Sequence, residues 1–120
     1  VVEDPELKAR LRQAHPFASM LDTAALAIVV CARPEVQTGA VEGYWPLDCG
    51  AAVENLLLQA VDLGYGACWC GCWPSPRLSK VQGLLNTQSL PVALIAVGVP
   101  DEDPPARGFY EPDRVTWLRG

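Results

Sequence analysis

The sequence predicts one small α+β domain, an α/β-type sandwich in which helices flank a sheet. Two apolar runs, residues 24–32 and 90–99, have the composition of strands that are buried on both faces. Between them, residues 48–63 repeat apolar side chains at helical spacing. The chain has 120 residues, of which 50% are hydrophobic. That length supports one hydrophobic core and is too short for two, so residues 1–120 are treated as a single domain.

The first predicted helix begins at Pro5, behind a capping Asp4. We expect this helix to be short and exposed, and to end before His15, because the proline that follows breaks it. Residues 17–20 predict a further short helical turn. His15 is the only histidine, and its position at a helix break favours a surface or capping role over acid–base chemistry.

The first apolar run, residues 24–32, is predicted to be a central strand of the sheet because β-branched residues occupy its middle. Residues 33–46 then contain two prolines and two glycines, which is typical of a loop of functional length. Tyr44 and Trp45 in this loop either line a substrate pocket or pack over the core.

The strongest predicted element is a helix over residues 48–63, capped by Asp48 and ended by Gly64 in a left-handed conformation. Apolar residues cover most of its circumference, so we expect it to be buried on most sides. Glu54 lies off the polar stripe, and therefore either has a partner or lies at a subunit seam. Asn55 is open to the same two interpretations, as a site residue or as a structural one.

Residues 65–73 predict a short strand with Cys68, Cys70 and Cys72 alternating onto one face. Zinc sites favour two-residue gaps between cysteines, so buried small hydrophobic side chains are favoured over a metal or redox-thiol site. Five cysteines in total do not form an extracellular disulfide framework. Their number favours a reducing compartment, which we interpret as the cytoplasm.

A third helix is predicted to begin at Ser75 or Pro76 and to run to residue 85, with Gly83 weakening it. The second apolar run, residues 90–99, follows as another buried strand. Residues 114–118 form either a last short strand or an extension that reaches a partner.

The net charge of −5 argues against non-specific binding to nucleic acid or to anionic membranes. No apolar run approaches the roughly 20 residues that a bilayer span requires. The apolar content is nevertheless high for a small acidic domain. We therefore expect a partner to cover part of the surface, and a second copy of the chain is the simplest choice.

Several segments together resemble the FMN-dependent nitroreductase family. Residues 48–60 look like the family's central helix, and residues 63–66 and 68–71 look like its following turn and strand. Residues 97–100 and 105–117 resemble its last strand and tail, and residues 1–8 resemble an earlier short-helix segment. The order and spacing of these segments carry the resemblance over nearly the whole chain.

This resemblance implies a mixed sheet flanked by helices, with a long buried central helix, in an intertwined homodimer that holds FMN at the interface. It also implies an enzyme that passes hydride from NADH or NADPH through the flavin to a small acceptor such as a nitroaromatic or a quinone. Because the flavin carries this chemistry, no catalytic side chain and no metal ligand is implied.

The implied cofactor-binding residues are Trp69, Cys70, Gly71, Cys72 and Arg107. Gly71 best fits the place where a backbone N–H faces flavin N5, since a residue without Cβ lets the backbone approach a planar ring. Cys72 stands where similar proteins often have glycine. Arg107 matches a basic tail residue that pairs with the FMN phosphate, and Arg77 and Arg119 are weaker candidates for that charge.

Nitroreductases begin with an Arg-rich motif that holds the phosphate and ribityl chain, and this sequence has no counterpart. We therefore expect the family's N-terminal segment to be missing from this chain. A second interpretation is a non-catalytic flavin-fold module for binding or dimerisation. A third, less favoured, is a thiol or metal protein that uses Cys68, Cys70 and Cys72.

Overall fold

The computed structural model describes residues 1–120, and its elements confirm the α+β class. The helices are α1 (Pro5–Ala14), α2 (Trp45–Asp62) and α3 (Arg77–Leu85), and the strands are β1 (Leu26–Ala32), β2 (Gly66–Gly71) and β3 (Leu90–Gly98). Short 3₁₀ turns lie at Ser19–Asp22, Pro34–Val36, Gly39–Val41 and Pro112–Arg114. None of the helices combines the length and the apolar character needed to cross a membrane.

The three strands form one sheet in the order β1-β3-β2, and both pairings are antiparallel. The sheet of this chain is thus purely antiparallel, whereas the resemblance implied a mixed one. β3 is the central strand and is buried from residue 91 to residue 96. The prediction that residues 24–32 form a central strand is wrong. β1 lies beside β3 alone, and its outer side meets only Val2, which forms an isolated bridge to Ala27.

Two apolar clusters cover opposite faces of the sheet. Leu94 and Ala96 of β3 belong to the larger cluster, which includes Leu11 of α1 and Val81 of α3. The alternate residues Ala93 and Ile95 belong to the smaller cluster, where they meet α2. Because successive side chains of a strand point to opposite faces, β3 joins both clusters.

The start of α1 follows the prediction. Asp4 Oδ2 accepts a hydrogen bond from the Leu7 N–H at 2.8 Å, and Pro5 occupies the first helical position. One side of α1 is not exposed, however, because Leu11 is completely buried. Lys8 Nζ also donates to the Ala24 carbonyl at 2.7 Å, which links α1 to the chain just before β1.

α2 begins at Trp45, so the predicted cap at Asp48 is wrong. Pro46 suits the first turn of a helix, which allows the helix to start earlier. The Asp48 carboxylate instead accepts a hydrogen bond from Gln37 Nε2 at 2.6 Å. At the other end, Gly64 has φ +80°, which confirms the predicted left-handed residue.

Within one chain, α2 is buried along a single stripe, so this chain alone does not supply the expected burial on most sides. Only Val53 and Ala60 are buried, while Leu58 is 61% exposed and Val61 is 71% exposed. Glu54 is exposed and forms no ion pair. The helix therefore presents an apolar face that this chain does not cover.

The chain after β3 runs as an extension. Residues 99–120 are exposed throughout, and residues 114–118 form no strand. Of the two alternatives for residues 114–118, the structure therefore has the extension.

Candidate functional site

Gly71 lies at the end of β2, on the edge that no other strand of this chain pairs with. The next residue, Cys72, donates its N–H to the Val92 carbonyl of the β3 side at 2.9 Å. Along an antiparallel strand, successive residues direct their N–H and C=O groups to opposite sides. Gly71 therefore directs its own N–H and C=O away from β3, and the residue is exposed.

A β-bulge follows directly after Gly71. The N–H groups of Cys72 and Trp73 both donate to the Val92 carbonyl, at 2.9 and 3.2 Å. Two residues of one strand thus oppose one residue of its neighbour, which increases the local twist and ends regular pairing. The bulge fixes where the free edge of β2 stops.

The space beside the Gly71 backbone is open. A Cβ added at Gly71 would meet no heavy atom within 4 Å, whereas one added at Gly66 would lie 3.1 Å from the Pro100 Cβ. A side chain at Gly66 would therefore crowd Pro100, whereas the space at Gly71 is free. A backbone with free space above it is what a planar ligand needs for close approach.

His15 contacts the Gly71 carbonyl, which points away from β3. Its Nε2 lies 2.9 Å from the Gly71 carbonyl oxygen, and the residue is only 1% exposed. A carbonyl oxygen only accepts, so Nε2 carries the hydrogen. Nδ1 is buried without a partner.

The predicted surface role for His15 is wrong, but the capping role is confirmed. Its backbone N–H bonds to the Leu11 carbonyl at 3.1 Å as the residue that ends α1. The sequence reasoning missed the contact with Gly71 because that contact joins residues far apart in the chain, and no local pattern signals it.

Cys70 and Cys72 belong to the larger apolar cluster, and are 4% and 0% exposed. Burial raises the pKa of each thiol to about 11. They are therefore protonated at neutral pH and pack as small apolar side chains, as predicted. Cys68 is exposed, so the prediction of burial is wrong for Cys68, which lies outside that cluster.

The cysteines do not assemble into a site. No group of His, Cys, Asp or Glu side chains in the structure has the arrangement to hold a metal ion, and all five cysteines are free thiols. Burial raises the pKa of Cys31 and Cys49 as well. These protonated thiols do not favour the thiol or metal alternative.

Three tryptophans lie around the end of β2 and the start of α2. Trp45 and Trp73 meet edge to face, with ring centroids 4.9 Å apart. Trp45 also lines a cleft of about 190 Å³ together with Cys31 and Cys49. Trp45 thus packs on Trp73, and neither ring belongs to the two apolar clusters. Tyr44 is 54% exposed and Trp69 is 43% exposed.

The three candidate arginines differ in their surroundings. Arg107 lies on the exposed extension, and it takes part in no ion pair within the chain. The Arg77 guanidinium lies 5.2 Å from the centre of the Phe17 ring, and Arg119 lies 5.4 Å from the centre of the Trp117 ring. No hydrogen bond connects Arg107 to the β2 edge.

Comparison with known sequences gives a consistent result. A sequence model of the Nitroreductase family matches residues 2–99. A Methanothermobacter thermautotrophicus protein, provisionally named NADH dehydrogenase/NAD(P)H nitroreductase, is 33% identical over 96% of this chain and 61% of its own length. An Archaeoglobus fulgidus protein of the same name is 36% identical over 94% of this chain and 64% of its own length. The chain thus spans less than two thirds of either relative.

Solved structures share the fold. A Parabacteroides distasonis protein with the same provisional name superposes with a TM-score of 0.86 at 32% identity, and the match covers 97% of this chain and 68% of that protein. The FMN-dependent nitroreductase of Clostridium difficile R20291 has a TM-score of 0.84 at 24% identity, covering 97% and 71% of the two chains. Because the sequence identity to this second protein is only 24%, the similarity shows a shared fold alone.

The buried thiols predict a loss of stability in alkali. The pKa of Cys70 and of Cys72 rises from an ordinary 9.0 to about 11 on folding. The contribution of these two thiols to the free energy of unfolding is therefore fully present below about pH 9 and is lost as the pH rises toward 11. Each thiol contributes at most about 1.4 kcal/mol per pH unit in that window. The free energy of unfolding, measured by urea denaturation across this pH range, should therefore fall less steeply with pH in a C70A/C72A variant. Exposed Cys68→Ala is the control, and equal slopes for the double variant and the unsubstituted chain would contradict this account.

Proposed function

Because this chain belongs to the nitroreductase family, we propose that it is an FMN-dependent NAD(P)H oxidoreductase whose β2 edge lies against the flavin ring. The observation that carries this proposal is the Gly71 backbone. Its N–H points away from β3, and no atom of the chain occupies the space where a Cβ would stand. That arrangement fits a planar ring with hydrogen-bond acceptors at its edge.

Bound FMN would supply the chemistry of accepting hydride from NADH or NADPH and passing electrons to a small acceptor such as a nitroaromatic or a quinone. The residues of the chain would bind the cofactor and orient it. Gly71 offers a backbone N–H to the ring, while Cys70 and Cys72 on either side of it are buried in the apolar cluster. The neighbours thereby fix the strand in place while Gly71 stays accessible, and Trp69 completes the proposed ring-facing segment.

Arg107 is the proposed partner of the FMN phosphate. A guanidinium presents several N–H donors in a plane and pairs well with a phosphate dianion. Arg107 has no competing ion pair, whereas Arg77 already contacts Ser75 Oγ and the Phe17 ring. In this proposal, the exposed extension carries Arg107 to the cofactor.

We also propose that the chain forms a cytoplasmic homodimer and that α2 contributes to its interface. The support is the uncovered apolar face of α2, on which Leu58 and Val61 are largely exposed. Apolar patches of this kind mark interaction surfaces. A second copy covers such a patch on both molecules at once, because a twofold interface uses the same surface twice. The free thiols fit a reducing compartment.

FMN uptake tests the proposed function. The chain should quench the fluorescence of added FMN, and NADH or NADPH should bleach the flavin absorbance. Gly71→Ala should keep the fold, since its Cβ meets nothing, but should weaken FMN binding by about tenfold or more because a methyl group prevents close approach. Gly83→Ala, also in open space but in α3, is the matched control.

Failure of the unsubstituted chain to take up FMN would overturn the proposed function. Uptake without bleaching by either nucleotide would favour the non-catalytic flavin-binding module instead. Equal FMN affinity for Gly71→Ala and Gly83→Ala would remove Gly71 from the site.

Arg107→Ala should weaken FMN binding by about 1 to 3 kcal/mol, the value of a hydrogen bond to a charged group. Riboflavin, which lacks the phosphate, should bind the variant and the unsubstituted chain alike. Exposed Arg10→Ala on α1 serves as the control. If Arg107→Ala lowers FMN and riboflavin affinity equally, the arginine does not hold the phosphate.

Val61→Glu should convert the proposed dimer to a monomer, because a charge on the apolar face of α2 would be buried in the interface. Sedimentation velocity measures the change. Val36 is exposed to a similar degree, 63% against 71% for Val61, and lies outside α2, so Val36→Glu should leave the dimer intact. A monomeric unsubstituted chain, or a dimer unaffected by Val61→Glu, would refute this interface.

A further inference from the structure

We propose that His15 is a positioning residue for the flavin-facing edge, and that its ring holds the Gly71 carbonyl so that the neighbouring N–H faces the cofactor. The inference rests on the proposed function. Its structural basis is the 2.9 Å contact between His15 Nε2 and the Gly71 oxygen. A hydrogen bond from a buried ring to an exposed strand edge fixes the backbone at the point where a ligand would bind.

The peptide group that joins Gly71 to Cys72 is held on both sides. Its oxygen accepts from His15 Nε2 at 2.9 Å, and its N–H donates to the Val92 carbonyl at 2.9 Å. Without the first contact, the glycine would be held by β3 only through its neighbours, because its own polar groups point away from β3. Glycine is the residue with the greatest backbone freedom, so this is where an added constraint has the largest effect.

The His15 ring is itself fixed. The His15 backbone ends α1 through its bond to Leu11, and the ring packs edge to face on Phe17 with centroids 6.2 Å apart. Its Nδ1 remains buried without a partner, which is unfavourable for folding.

FMN binding to two variants provides the first test. His15→Phe keeps an aromatic ring but removes the donor, whereas His15→Gln places an amide N–H near the position of Nε2. His15→Phe should weaken FMN binding about tenfold, as expected for one lost positioning hydrogen bond. It should also shift the flavin midpoint potential, and His15→Gln should restore both quantities. Unchanged affinity and potential in folded His15→Phe would overturn the inference.

Nitrogen NMR of the unsubstituted protein is the second test, and it does not depend on how the variants fold. His15 is the only histidine, so the imidazole signals need no further assignment. The FMN-free chain should show the tautomer with hydrogen on Nε2, and saturating FMN should shift the Nε2 signal. Hydrogen on Nδ1, or a Nε2 signal that saturating FMN does not move, would overturn the inference.

The two possible failures are distinguishable. If the unsubstituted chain binds no FMN, the proposed function fails and the inference fails with it. If the unsubstituted chain binds FMN and neither His15→Phe nor the NMR signal responds, the proposed function stands and only the role of His15 is refuted.

Discussion

The pairing of β3 on both of its sides determines how the sheet and the two apolar clusters are arranged. β3 is hydrogen-bonded to β1 along one edge and to β2 along the other, and its alternate side chains join the two apolar clusters. With β3 central, β2 has one free edge in this chain, and Gly71 lies at the end of that edge. The candidate site is therefore a consequence of strand order, which places polar backbone groups outside the sheet while neighbouring side chains stay in the core.

The candidate site combines buried neighbouring residues with free space at Gly71. Cys70 and Cys72 are buried, and the bulge after Gly71 ends regular pairing. Only the glycine between them presents unoccupied space. The same chain leaves an apolar face of α2 and a long extension exposed. The exposed face of α2 fits the proposed homodimer, and the extension fits the proposed contact of Arg107 with the cofactor.

Local signals in the sequence predicted local structure well. Asp4 and Gly64 have the chemistry of helix ends, and both occur where expected. The two apolar runs were both strands, but their composition could not show which is central, since that depends on pairing with distant residues. For the same reason the sequence could not reveal that His15 reaches Gly71. The ring-facing residues and Arg107 came from the family resemblance rather than from any local pattern, and their assignment remains a proposal.

The proposed function places the flavin against the Gly71 N–H. Amide hydrogen exchange at that one residue, followed by NMR without and with saturating FMN, tests this placement. In the free chain this N–H points away from β3 at an exposed edge, so it should exchange rapidly. Bound FMN should slow this exchange strongly, while exchange at exposed Gly83 should be unchanged. Rapid exchange at Gly71 in a chain that has bound FMN would contradict this placement.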